Sequence, residues 1–188
     1  MQLLALRHAR ALAGPDDILR PLGALGVEQA RKRRQTLGAP TFDIIAASPA
    51  VRTVSTAALV SETLESSVIK FDALYSDTTS EQGKVLDALF EKLLYAPCSA
   101  YYAQQGGEVV REHGIAAWAV VYNLLIHVHI RSMLVVGHAV LIQAMGQAIC
   151  AGKTEMVERL GELNLGECEG YELTLNDDTE VTELKIIR

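Results

Sequence analysis

Short apolar runs alternating with helical spacing constrain this chain more than any other feature. Residues 3–6 (Leu-Leu-Ala-Leu), 42–47, 68–71 and 132–136 are too short for helices and read as strands, the first of them buried on both faces. Between and after them, apolar residues recur with helical period over 26–37, 80–94, 108 to about 125, and 139–151. Ser48-Pro49 combines a capping side chain with a proline fit for the first helical turn, so a further helix is expected from there to about residue 64. Residues 11–22 and 101–107 read as loops. Strands separated by helices need long crossovers, which predicts an α/β fold: a three-layer α/β/α sandwich with a mainly parallel central sheet. Residues 171–175 and 181–187 flank an Asn176-Asp177-Asp178 turn and predict a C-terminal antiparallel hairpin. At 188 residues, one domain spanning 1–188 is expected.

Ligands of parallel sheets gather beyond the carboxyl ends of the strands, and three polar clusters occupy such ends. The first is Arg7-His8-Ala9-Arg10, directly after the N-terminal strand. A neutral imidazole can attack phosphorus, and an adjacent guanidinium offers a planar fork of donors to phosphate oxygens. The second is Ser48 with Arg52, at a helix N-terminus whose free N–H groups already favour an anion. The third is Gly137-His138, where a donating imidazole can meet charge developing on a phosphoryl group. Each alone also fits an ordinary strand or helix end.

Net charge bears on partners. A net charge of −6 argues against nucleic acid or an anionic membrane, both of which reward a basic face, so neither is expected as a partner. Residues 114–130 are interrupted by Asn123, His127 and His129, which argues against a membrane span. The N-terminus lacks the basic region of a signal peptide. Cys98, Cys150 and Cys168 are widely spaced and odd in number, which fits a reducing cytoplasm better than a disulfide or zinc framework. His127 and His129 would share a face on a strand and are a weak metal pair. His113 reads as exposed, and Glu167 and Glu169 as surface charges. The basic run Arg31-Lys32-Arg33-Arg34 reads as a solvated helix face or a phosphate-steering surface.

Arg7-His8, then Ser48-Pro49-x-x-Arg52-x-x-x-Thr56, then strand-Gly137-His138, resemble the histidine phosphatase superfamily, the phosphoglycerate-mutase-like fold, from residue 3 to about 175. The compact size and Arg20-Pro21-Leu22 preceding Leu25-Gly26 resemble its small phosphohistidine phosphatase branch. That resemblance implies a phosphohistidine at His8, phosphate contacts from Arg7, Arg52 and His138, with Ser48 and Arg10 as further candidates, and hydrolysis without a metal or other cofactor. The implied substrate is a phosphorylated small molecule or phosphoprotein, and a homo-oligomer is compatible with it. Two departures stand out. Ala9 replaces the family's usual glycine, and no clear proton donor follows the third strand. Asp77 and Glu81 are the candidates there, although Asp77 also suits a turn and Glu81 the first turn of a helix. The rival readings are a phosphoglycerate-type mutase, and a phosphate- or phosphoprotein-binding member of the fold that has lost turnover.

Overall fold

In a computed structural model of the chain, residues 1–76, 79–94, 96–127 and 130–188 are described. Strand β1 (Gln2–Arg7) is followed by α1 (Ala24–Thr36), β2 (Ile44–Ala47), α2 (Val51–Ser61) and β3 (Ile69–Lys70). Three helices then intervene, α3 (Glu81–Leu93), α4 (Cys98–Tyr102) and α5 (Glu108–His127), before β4 (Ser132–Gly137). Helices α6 (Ala139–Ile149) and α7 (Thr154–Gly161) lead to β5 (Gly170–Leu175) and β6 (Val181–Ile187). The six strands form one sheet in the order β3-β2-β4-β1-β5-β6. The first four are parallel, and β5 and β6 are antiparallel to their neighbours.

Both faces of the sheet are covered, which is why β1 and β4 read as unbroken apolar runs. Side chains alternate along β1. Leu3 and Ala5 pack with Ala117 and Val121 of α5 and Ile142 and Met145 of α6, whereas Leu4 and Leu6 pack with Ala30 of α1 and Val54 and Ala57 of α2. The expected α/β/α sandwich with a C-terminal hairpin is the architecture found.

Several boundaries differ from expectation. Helix α2 is capped by Ala50 rather than Ser48, and it ends at Ser61 because Glu62 turns left-handed at φ 56°. Ser48 is fully buried, and its hydroxyl lies 2.8 Å from the Thr53 hydroxyl instead of closing the helix end. Residues 98–102, expected at the edge of a loop, form the short helix α4 behind Pro97. His127 ends helix α5 rather than lying on a strand, and His129 falls outside the described residues. His113 is half-buried, not exposed, and its Nε2 has no partner among the described residues. Glu169 is drawn in from the surface: its carboxylate accepts from the Gly166 N–H (2.8 Å) and from Arg188 (3.0 Å). Among the described residues, no helix is long and apolar enough to cross a membrane.

Candidate active site

Parallel pairing puts the carboxyl ends of β1, β2 and β4 side by side. Arg7 aligns with Gly137 across the β1–β4 ladder, and Ala47 aligns with Val136 across β2–β4. The ladder continues one step further: the His8 N–H donates to Gly137 O (3.0 Å) and the Ser48 N–H to Val136 O (3.0 Å). His8 and His138 thus leave the sheet together, and their rings meet edge to face with centroids 5.1 Å apart. Gly137 keeps β4 close to its following helix, since a Cβ there would lie 2.7 Å from Cγ2 of Ile142.

Arg52, only 4 % exposed, enters from the first turn of α2 and links the two rings. Its Nε donates to His8 Nε2 at 3.4 Å, and its NH2 nitrogen lies 2.7 Å from His138 Nε2. A guanidinium only donates, so both Nε2 atoms are lone-pair nitrogens and each ring carries its proton on Nδ1. In His8, Nδ1 donates to the carbonyl of Ala9 at 2.7 Å. In His138, Nδ1 has no partner of good hydrogen-bond geometry among the described residues, though the Leu74 carbonyl nearby favours the charged ring.

Burial pushes the His8 pKa down to about 4; the Ala9 carbonyl opposes the shift, while the charges of Arg52, Arg7 and Arg20 reinforce it. His138 is held well below the ordinary histidine range, first by burial and then by His8 and Arg52. Both rings are therefore neutral at neutral pH. Arg7 lines the same cleft, with NH1 anchored on Leu165 O at 2.7 Å.

Asp17 and Tyr75 complete the cluster, and neither was signalled by the sequence. Asp17 Oδ2 pairs with the Arg52 NH2 nitrogen at 2.7 Å and accepts from the Tyr75 hydroxyl at 3.0 Å, while Arg52 NH1 donates to the Asp17 carbonyl. Burial works to raise the Asp17 pKa, but the hydrogen bond and charge of Arg52 outweigh it and hold the carboxyl below its usual range. Burial and Asp17 push the Tyr75 phenol up to about 12, so it stays a donor. Arg20 grips Asp17 from the other side, NH1 to Oδ1 at 2.9 Å. Asp17 follows Asp16 in a loop behind Gly14-Pro15, where a turn role is the natural reading of both.

The remaining sequence candidates do not join this cluster. Ser48 is turned into its own helix start. Arg10 is exposed and absent from the cleft lining; its backbone N–H donates to Gln29. Glu81 is 91 % exposed and paired with Lys84 at 2.6 Å. Asp77 lies outside the described residues. Ala9 poses no obstacle: its backbone is not left-handed, and it is fully buried among Leu6, Ala47 and Val54, beneath the site rather than in it.

Arg7, His8 and His138 also border an adjoining cavity of about 160 Å³, lined by Phe90, Leu94 and Tyr101. The main cleft measures about 660 Å³.

Comparison with known proteins agrees with the fold. The structure is similar to that of the protein histidine phosphatase SixA complexed with tungstate, at 20 % identity and TM-score 0.62, covering 100 % of this chain and 96 % of that one. It is similar to a phosphoserine phosphatase of Entamoeba histolytica in complex with 3-phosphoglyceric acid (15 %, 0.67, 100 % and 96 %). A mycobacterial glucosyl-3-phosphoglycerate phosphatase with inorganic phosphate is a third such structure (17 %, 0.68, 100 % and 95 %). No curated protein matches the sequence. The family model of the histidine phosphatase superfamily (branch 1) matches residues 4–184, nearly the whole chain, and the chain belongs to that superfamily.

Proposed function

We propose that this protein is a phosphatase that passes a phosphoryl group from a phosphomonoester or phosphoramidate to His8 and then to water. One observation carries the reading: the unprotonated His8 Nε2 faces the Arg52 guanidinium at 3.4 Å, with the His138 ring beside it, in a cleft that Arg7 also lines. Attack by Nε2 forms an N–P bond as the bond from phosphorus to the leaving oxygen or nitrogen breaks, and the leaving atom takes up a proton from solvent. Water then attacks phosphorus, the N–P bond breaks, and inorganic phosphate departs with His8 restored. Arg7 and Arg52 supply positive charge to the equatorial oxygens as charge spreads over them. The reading therefore assigns no metal, and chelator is expected to leave the rate unchanged. Three buried, free thiols suit a reducing compartment such as the cytoplasm.

Rapid alkaline quench with a radiolabelled aryl phosphate tests the covalent step. Wild-type protein is expected to carry transient label on His8, while His8→Ala carries none and turns nothing over. A fully active His8→Ala protein ends the proposal.

A further inference from the structure

The cleft around His8 is divided in charge. Arg7, Arg20 and Arg52 line it, and so do Asp17, Asp87 and Glu91. Asp17 is spoken for by Arg52 and Arg20. Asp87 and Glu91 are four residues apart on α3 and so share a helix face. Among the described residues neither forms an ion pair. Ser76 lines the same cleft, is only 7 % exposed, and its hydroxyl has no partner among the described residues. Phe90 and Leu94 border both this cleft and the smaller cavity against His8, offering apolar contact to a short carbon linker.

A phosphate dianion seated on Arg7 and Arg52 consumes the positive charge of the cleft and leaves Asp87 and Glu91 without a counter-ion. We infer that the site selects phosphorylated compounds bearing a cation close to the phosphoryl group, an amine-bearing phosphomonoester being the simplest, with Asp87, Glu91 and Ser76 receiving the cation. The inference rests on the phosphatase reading and narrows its substrate class. Burial and the neighbouring Asp17 and Glu91 carboxylates raise the Asp87 pKa, the sign of a carboxylate lacking a cation. A substrate with a carboxylate in that position, such as a phosphoglycerate, would instead face like charge.

The test compares O-phosphoethanolamine with phosphoglycolate, two small alkyl phosphates that differ in the sign of the distal group. For wild-type protein kcat/KM is expected to favour phosphoethanolamine by at least about tenfold, with the preference shrinking in high salt. The double variant Asp87→Asn/Glu91→Gln should lose rate with phosphoethanolamine and gain it with phosphoglycolate; a folding defect lowers both. Ser76→Ala should reduce the preference by a smaller factor. A wild-type ratio at or below one overturns the inference. So does an equal fall of kcat on both substrates in a double variant whose circular dichroism and melting match wild type, which would make Asp87 a proton donor or a structural residue. Dissociation constants from calorimetry give the same ratio without turnover. A protein that binds phosphoethanolamine preferentially but hydrolyses nothing thus defeats the phosphatase reading alone, whereas one that hydrolyses both without preference defeats this one alone.

Discussion

Arg7, His8 and His138 stand at the ends of two strands paired in register, whereas Asp17, Tyr75, Asp87 and Glu91 reach the same cleft from a loop, a short connection and one face of α3. The first group is fixed by the sheet: displacing His8 from His138 means breaking ladder hydrogen bonds. The second is fixed mainly by side-chain contacts, and Asp17 is 50 % exposed even while paired with Arg52. The difference teaches a division of labour. On the proposed function, the groups assigned to hold a fixed geometry about phosphorus sit on the scaffold, and those assigned to the variable part of a substrate sit on segments that can differ without cost to the core.

The largest expected effect tests the scaffold side. Arg52→Ala or Arg7→Ala should lower kcat/KM by at least about a hundredfold, and Arg52→Lys should recover little, because an ammonium cannot span two rings and a phosphate with a planar fork. Arg10→Ala, outside the cleft, should stay near wild type; a comparable loss there would break the distinction.

Acid tolerance comes next. An unperturbed imidazole would be only about 3 % neutral at pH 5. With its pKa pushed down to about 4, His8 remains a nucleophile there, so the acid limb of kcat/KM attributable to it should lie near 4. A limb near 6.5 would contradict the burial that defines the scaffold side. The sign for stability is fixed as well. Between about 4 and 6.5 the unfolded chain binds a proton that folded His8 refuses, so stability is full above 6.5 and falls as pH drops through that window. A denaturant titration of wild type against His8→Ala isolates this contribution.

A smaller effect sharpens the loop side. Asp17 holds the guanidinium that a phosphate needs, so Asp17→Asn should tighten competitive inhibition by inorganic phosphate about three- to tenfold. Weaker inhibition would mean that Asp17 orients Arg52 rather than competing for it. Least of all, Ser80→Ala removes the cap that accepts from the Gly83 N–H at 2.9 Å, and should cost about 1 kcal/mol in denaturant titration.

The scaffold was the legible part of the sequence, for the same reason that it is rigid. Residues 3–6 and 132–136 announce strands buried on both faces, and the polar residues that end them announce a site. Arg52 was legible because it sits one helical turn from a strand end. The loop side left little trace. Asp17 contacts a residue 35 positions away from inside a segment whose Gly14 and Pro15 signal only a turn. Asp87 and Glu91 count as the polar side of an amphipathic helix whose apolar stripe drew the assignment. Helix α4 was hidden because five residues are too few to display a period. Ser48 misled because a capping residue and a buried hydroxyl look alike until Thr53 is seen beside it.

The His8 amide bonds to Gly137 O, one step beyond the last paired residues of β1 and β4. In a deuterium-exchange experiment that amide is expected to exchange more slowly than the amides of the half-exposed Asp17 loop, which open in local fluctuations. The proposed nucleophile is thus already in place before any ligand arrives. Association then needs no movement of the residue 8 backbone, only release of the Nε2 lone pair from Arg52 and rearrangement around the loop carboxylate that pairs with that arginine.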